Sequence, residues 1–262
     1  VHPMAIIGEN VFFGKGSQIG AYAILGDGVN VGDGTTVGEH VILRAGTTVG
    51  RHCLIDSFAT IGSLPQDESF DAKIFSGVII GDDTAVRECV TINRATVEGS
   101  HTKIGSGCML QSCSHVGHDC EVGNGTVVAT GAMLGGRARV GAKCFIGGGA
   151  AIHQRVVVGD YAILGGNSST SLDLPPYAMA FGVSTVIGLN VVALRRAKIS
   201  SENIVALKNC FREFYVRTGI FGDRARKMIE EGFGSTNETI EFLTFFLRNS
   251  EQGFAPKRHR IK

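Results

Sequence analysis

Residues 112 to 124 read SCSHVGHDCEVGN, which sets His115 and His118 three positions apart with Asp119 directly behind the second histidine. An unperturbed imidazole titrates near 6.5, so either ring can exchange a proton at neutral pH. Three chemistries fit these residue types. A zinc ion needs three or four ligands at about 2.0 to 2.1 Å for nitrogen, and His115, His118 and His153 would supply three. A general base needs one histidine with a partner to fix its tautomer, and Asp119 is at hand. The third option is polar decoration of a scaffold. Neighbouring side chains on a strand point to opposite faces, so Asp119 can serve His118 only if the backbone turns between them. The elements that carry the segment decide the matter.

Those elements follow from a six-residue period. From Ile7 every sixth residue is apolar through Ile61, the phase slips by one across residues 62–79, and it resumes at Ile80, Val86 and Ile92. It skips Glu98 and then runs from Ile104 to Leu164 without a miss, giving twenty-four hexads in phase. Six matches neither an amphipathic helix at 3.6 nor alternating strands joined by hairpins. It predicts short strands joined by tight turns, three to a triangular coil, so that the chain returns every 18 residues about 4.8 Å higher with the repeated aliphatic pointing inward. The 37 glycines against 7% aromatic residues and no tryptophan agree with frequent turning. The two interruptions, 62–79 and 93–103, are loops that leave the coil, and loops on rigid scaffolds often carry function.

The pattern fades after Leu164, and Pro175-Pro176 is expected to end regular structure. Helical signals follow: a helix capped by Ser200 or Ser201 and ending near Gly219, a second over Arg224–Ile229 and a third over Glu238–Leu247. The division is a β-helix over 1–187 and a helical domain over 188–262. Bulk properties narrow the function. A net charge of +1 speaks against a broad nucleic-acid surface, although the ending Lys257-Arg258-His259-Arg260-Ile261-Lys262 is basic enough to meet something acidic. No apolar run approaches the roughly 20 residues of a membrane span. Seven cysteines without a Cys-x-x-Cys pair point to free thiols in a reducing compartment.

An 18-residue coil stacks Val116, Leu134 and Ile152 in one column. It thereby lines up His118, Gly136 with Arg137, and His153 with Gln154 along one edge, about 5 Å apart per rung. The hexads resemble those of the hexapeptide-repeat family of left-handed parallel β-helices, and the resemblance supplies the hand, because parallel crossovers are otherwise right-handed. Some relatives are zinc enzymes of the carbonic anhydrase type, but their pattern of an early histidine followed by a His-x4-His pair is absent here.

Five stretches sharpen the likeness: Ile61-Gly62 through Gln66-Asp67, Arg87-Glu88-Cys89-Val90-Thr91-Ile92, His115-Val116-Gly117-His118-Asp119-Cys120, Ile152-His153-Gln154 and Asp173-Leu174-Pro175-Pro176-Tyr177. Together they resemble the acyl-[acyl-carrier-protein]–UDP-N-acetylglucosamine O-acyltransferases, which perform the first step of lipid A biosynthesis, and the likeness runs over essentially the whole chain. It implies a mainly β enzyme with a small α-helical C-terminal domain that moves a 3-hydroxyacyl chain from acyl carrier protein to the 3-hydroxyl of the nucleotide sugar. It implies His118 as general base, Asp119 as the group that orients it, and Gly136 as the backbone donor to the oxyanion. Gln66, Asp67, His115, Arg137, His153, Gln154, Asn190 and Arg196 fall on substrate-binding positions, and Gly166 on the acyl-chain ruler, where a glycine implies a long chain of around fourteen carbons. No metal and no cofactor is implied, since the acyl-phosphopantetheine arrives on the carrier protein.

The same resemblance implies a homotrimer with sites between subunits and an acidic carrier protein that meets basic residues such as Arg195, Arg196, Lys198 and Arg212. It places the protein in the bacterial cytoplasm, or in a plant mitochondrion with a leader removed. Four positions depart from the pattern. Arg137 stands for a histidine, Ser69 for a lysine, Val192 for a glutamate and Ala197 for a second arginine, which bears on nucleotide fit and on whether the acceptor is a hydroxyl or an amine. Another hexapeptide acyltransferase, a zinc enzyme and a noncatalytic β-helix subunit are the competing expectations.

Overall fold

The computed structural model describes residues 1–257, so the basic ending expected to meet an acidic partner lies, after Lys257, outside the described residues. Strands of mostly two or three residues, all parallel but the last, stack into three sheets of nine, eight and ten strands, and up to Ser169–Thr170 successive strands go to successive sheets in rotation. The result is a left-handed parallel β-helix. Residues pair with those 18 ahead, as in Ile6↔Ile24 and Ile7↔Leu25. The predicted hexad residues form the core: Leu25, Leu43, Ile61, Ile92, Leu110, Leu134 and Ile146 are all fully buried. At about 25 cal/mol per Å² of apolar surface removed from water, this stacked aliphatic column is the main stabiliser of the coil.

Both interruptions leave by the edge between the first and second sheets. The first is bounded by the strands Thr60–Ser63 and Gly77–Ile80, the second by Thr91–Asn93 and His101–Ile104. The skipped Glu98 is therefore part of an insertion one hexad long, which is why the phase survives it. Glu98 Oε2 accepts the Phe75 amide at 2.8 Å and Gly99 N donates to Phe75 O at 2.8 Å, so the two loops support each other.

Pro175-Pro176 does not end the coil, contrary to the sequence expectation. Leu174 still bridges to Val158 in parallel, and Ala178–Ala180 pairs with Ile163–Leu164, which completes one more turn. The prolines sit at the corner over Gly159, where no ladder amide is required of them. Val186–Leu189 then folds back antiparallel on Ala178–Ala180. Four helices follow: α1 (Val191–Arg196), α2 (Ser201–Val216), α3 (Phe221–Glu230) and α4 (Asn237–Thr244). The sequence signals missed α1, a six-residue helix opened by Val191-Val192, two poor helix formers, and capped by Asn190. Ser200 caps α2 through Asn203 N at 3.1 Å. Phe214, Phe242 and Phe246 bury the helical cluster. No helix of the described residues is long and apolar enough to cross a membrane.

Candidate active site

His115-Val116 is a strand of the first sheet, and Val116 pairs in register with Leu134, which pairs with Ile152. His118 and Asp119 occupy the corner that follows, and Asp119 takes φ +58°, a left-handed conformation. This turn is what a flat strand would lack. It swings two adjacent side chains to the same side, and His118 Nδ1 comes within 2.8 Å of Asp119 Oδ2. A carboxylate accepts only, so Nδ1 carries a proton, and in the neutral ring the lone pair then lies on Nε2.

Nε2 faces Gly136 one rung above: a Cβ built on that residue would lie 2.3 Å from it. The Gly136 N–H has no acceptor among the described residues. At the same edge in the first coil, the Glu9 amide is capped by Asp27 Oδ1 at 2.8 Å from the rung above. Gln154, the residue above Gly136, provides no such cap, so a backbone donor stands open beside the imidazole. A proton acceptor and an unclaimed amide donor around one small volume can together deprotonate a hydroxyl and stabilise an oxyanion.

Asp119 is only 18% exposed at its side chain. Burial pushes its pKa up, but hydrogen bonds from His118 and from the Thr96 hydroxyl and amide outweigh this and hold the carboxyl below its ordinary range. Thr96 belongs to the second insertion; its amide reaches Oδ1 at 2.9 Å and its hydroxyl Oδ2 at 2.6 Å. Arg137 Nε approaches Oδ2 at 3.7 Å, a charge contact longer than a hydrogen bond. His115 Nδ1 pairs with Thr91 Oγ1 at 2.8 Å, and burial lowers its pKa, which keeps it neutral at pH 7.

A cleft of about 560 Å³ opens on this edge, walled by Gln66, His115, His118, Gly136, His153 and Gln154 with Met133 as an apolar floor. Asp67 lies beside it on the first loop. Its Oδ1 accepts Ser69 Oγ at 2.7 Å and Ser69 N at 2.9 Å, which lower its pKa, and the charges of His118 and Arg137 act in the same direction. Asp119 and Arg137 face the neighbouring cavity rather than this cleft, and three other expected site residues lie away from it within one chain. Asn190 is buried, its Oδ1 capping α1 at Ala193 N (3.1 Å) and its Nδ2 donating to Tyr161 O (2.8 Å). Arg196 is exposed in the last turn of α1, and Gly166 sits at another corner over Gly148. Among the described residues no three His, Cys, Asp or Glu side chains are grouped to hold a metal ion.

The sequence reading missed Thr96 and Thr91. Thr91 could have been found, since the 24-residue return across the one-hexad insertion places it under His115. Thr96 could not, because the path of an insertion is not set by the hexad register.

The chain resembles known proteins over nearly its whole length. Residues 173–255 match the model of the UDP-N-acetylglucosamine O-acyltransferase domain 2 family, and residues 4–39 and 101–136 match the bacterial transferase hexapeptide model. The chain is 38% identical over 255 residues, 97% of it and 96% of the relative, to an acyl-[acyl-carrier-protein]–UDP-N-acetylglucosamine O-acyltransferase of Sulfurovum sp. (strain NBC37-1). The protein of that name from Aliarcobacter butzleri is 35% identical, again over 97% of this chain and 96% of the relative. The crystal structure of UDP-N-acetylglucosamine O-acyltransferase from Moraxella catarrhalis superposes with a TM-score of 0.91 at 32% identity, covering 97% of this chain and 98% of that one.

Proposed function

Because this chain belongs to the acyl-[acyl-carrier-protein]–UDP-N-acetylglucosamine O-acyltransferase family, we propose that it transfers a 3-hydroxyacyl group from acyl carrier protein to the glucosamine 3-hydroxyl of UDP-N-acetylglucosamine, the first step of lipid A biosynthesis. One observation carries the chemistry: His118 has Nδ1 fixed on Asp119 and Nε2 turned toward the open Gly136 amide. In this reading Nε2 takes the hydroxyl proton as the sugar oxygen attacks the thioester carbonyl, help worth about 10² to 10⁴ in rate. Negative charge gathers on the carbonyl oxygen, where the Gly136 N–H meets it, a contribution of about 10² to 10³. The carbon–sulfur bond then breaks, and the imidazolium returns its proton to the departing pantetheine thiolate. No further cofactor is needed, since the acyl group arrives already activated.

His115, uncharged and tied to Thr91, presents Nε2 to the sugar, while Gln66, Asp67, His153 and Gln154 surround it. With Ser69 occupying one oxygen of Asp67, the other remains free for a sugar hydroxyl. The working unit is read as a homotrimer in which a neighbouring copy completes the cleft with its Gly166, Asn190 and Arg196. The third sheet supports that reading with an outward apolar column, Met109, Val127, Phe145, Ile163 and Met179 in register, of which Met109 is 42% and Phe145 43% exposed. An apolar strip of this length asks for cover. Arg195, Arg196, Lys198 and Arg212 remain the residues we assign to docking the acidic carrier protein. In a bacterium the reaction belongs to the cytoplasm, where carrier protein and nucleotide sugar meet.

The reading is tested by the His118→Ala variant with UDP-N-acetylglucosamine and 3-hydroxyacyl carrier protein. Turnover falls by at least about 10² while melting stays native. Substantial residual turnover assigns the base elsewhere.

A further inference from the structure

The insertion between Asn93 and His101 does more than interrupt a coil. It pins Asp119 from two ends: Thr96 holds both carboxylate oxygens, and Thr102, just past the loop, accepts the Asp119 amide on Oγ1 at 2.9 Å. The oxygen that takes the Thr96 hydroxyl is Oδ2, the same one that takes the His118 ring. Every other charged group near the pair is farther or weaker. Arg137 stands at 3.7 Å from the rung above, and Asp67, on the first loop, is already folded onto Ser69.

We propose that Thr96 is a positioning residue for acyl transfer, whose hydroxyl and amide fix the Asp119 carboxylate in the plane that keeps the proton on His118 Nδ1 and the lone pair on Nε2. No proton passes through Thr96. Its hydroxyl stays a donor throughout, and its effect is on the orientation of the pair. The inference rests on reading His118 as the base. Without Thr96, Asp119 could rotate about its last torsion, a broad and shallow one, and the imidazole would follow it away from Gly136.

The loop itself does not depend on this hydroxyl. Arg94 N donates to Ser63 O at 2.9 Å, and Glu98 and Gly99 tie the loop to Phe75, so the anchors lie to either side of Thr96. Thr96→Val therefore removes the hydroxyl at nearly constant shape, and Thr96→Ser keeps it. We expect Thr96→Val to lower kcat by about 10- to 100-fold, the range for losing an outer orienting partner, with KM little changed. Thr96→Ser recovers most of the rate.

A second readout is independent of turnover. In protein labelled with 15N-histidine, the Nδ1–H proton of His118, assigned by its loss in His118→Gln, shifts upfield or broadens in Thr96→Val. Native kcat in Thr96→Val, or an unmoved Nδ1–H signal, overturns the proposal. So does a rate loss shared equally by Thr96→Ser or accompanied by loss of cooperative melting, which makes Thr96 a stabiliser of the loop. Should His118→Gln retain native turnover, the base reading falls by itself, and the Nδ1–H signal alone still decides whether Thr96 positions the pair.

Discussion

Replacing Asp119 by asparagine tests the orientation of the base with almost no change of shape. The carboxylate accepts three hydrogen bonds within 2.9 Å, from His118 Nδ1, Thr96 N and Thr96 Oγ1. An amide offers one acceptor oxygen and one donor nitrogen in the same places. If the oxygen stays on Thr96 N, the NH₂ faces His118 Nδ1, and two donors meet. The ring relieves this by moving its proton to Nε2, which removes the base. If the amide is flipped, the NH₂ faces Thr96 N instead, and the loop amide is left without an acceptor. Each hydrogen bond to a charged group is worth about 1.5 to 3 kcal/mol, or about 10- to 150-fold in rate if it is fully felt at the base. The analogous change in serine proteases costs about 10⁴ through the wrong tautomer. We expect Asp119→Asn to lower kcat by about 10² to 10³, bounded above by the whole worth of a general base. The assay is initial-rate transfer from 3-hydroxyacyl carrier protein to UDP-N-acetylglucosamine, followed by product mass, with KM measured for both substrates. A kcat within threefold of the native enzyme would refute the claim that Asp119 sets the tautomer of His118.

Further outcomes follow from other contacts. Gly136→Ala puts a Cβ where His118 Nε2 now lies, at 2.3 Å, so the ring must swing away; activity should collapse while circular dichroism and melting remain native, and an active variant would contradict the placement of the base. At Gly166 a Cβ meets Gly148 alone, its O at 3.3 Å and its N at 4.0 Å, so Gly166→Met should fold and shift the preferred donor toward shorter acyl chains when carrier proteins of several lengths compete. Unchanged length preference would remove Gly166 as the ruler. Asp173 is buried and its carboxylate faces Arg248 at 2.6 Å, joining the last coil to the C-terminal segment. Asp173→Ala should cost about 3 kcal/mol in denaturant unfolding, because the half-buried Arg248 and the Val157 amide both lose the carboxylate they meet. Asp119, whose folded pKa is depressed, contributes stability that is present above its unfolded pKa near 3.9 and lost as pH falls through the lower folded value. The melting difference between native protein and Asp119→Asn should therefore shrink below about pH 4, and a difference constant with pH would sink that assignment.

The coil was legible because its period is imposed by the backbone: once three hexads close a turn, inward residues such as Val116, Leu134 and Ile152 must stack, and His118 must meet Gly136. The helices were legible where apolar spacing repeats, as in α2, and not in α1, which is too short to show a period. Whether Asp119 could reach His118 hung on one left-handed residue. Aspartate adopts that conformation more readily than most side chains, and the corner position demands it. The prolines misled because proline disrupts a ladder only where an amide is needed, and here the donating amides are those of Leu174 and Tyr177 on either side of the pair. Thr96 stayed hidden, and so did the contact of Ser69 with Asp67, since insertions fold by their own contacts and nothing in the hexad register says which loop atom will come back to the edge.

The central claim is that this chain esterifies a nucleotide sugar. Purified protein incubated with UDP-N-acetylglucosamine and 3-hydroxyacyl carrier proteins of graded length should yield one new nucleotide sugar, heavier by a single 3-hydroxyacyl group, whose added mass is released by mild alkali as an ester would be. An alkali-stable product would make the acceptor an amine, and no acylated nucleotide sugar with any donor would contradict the account.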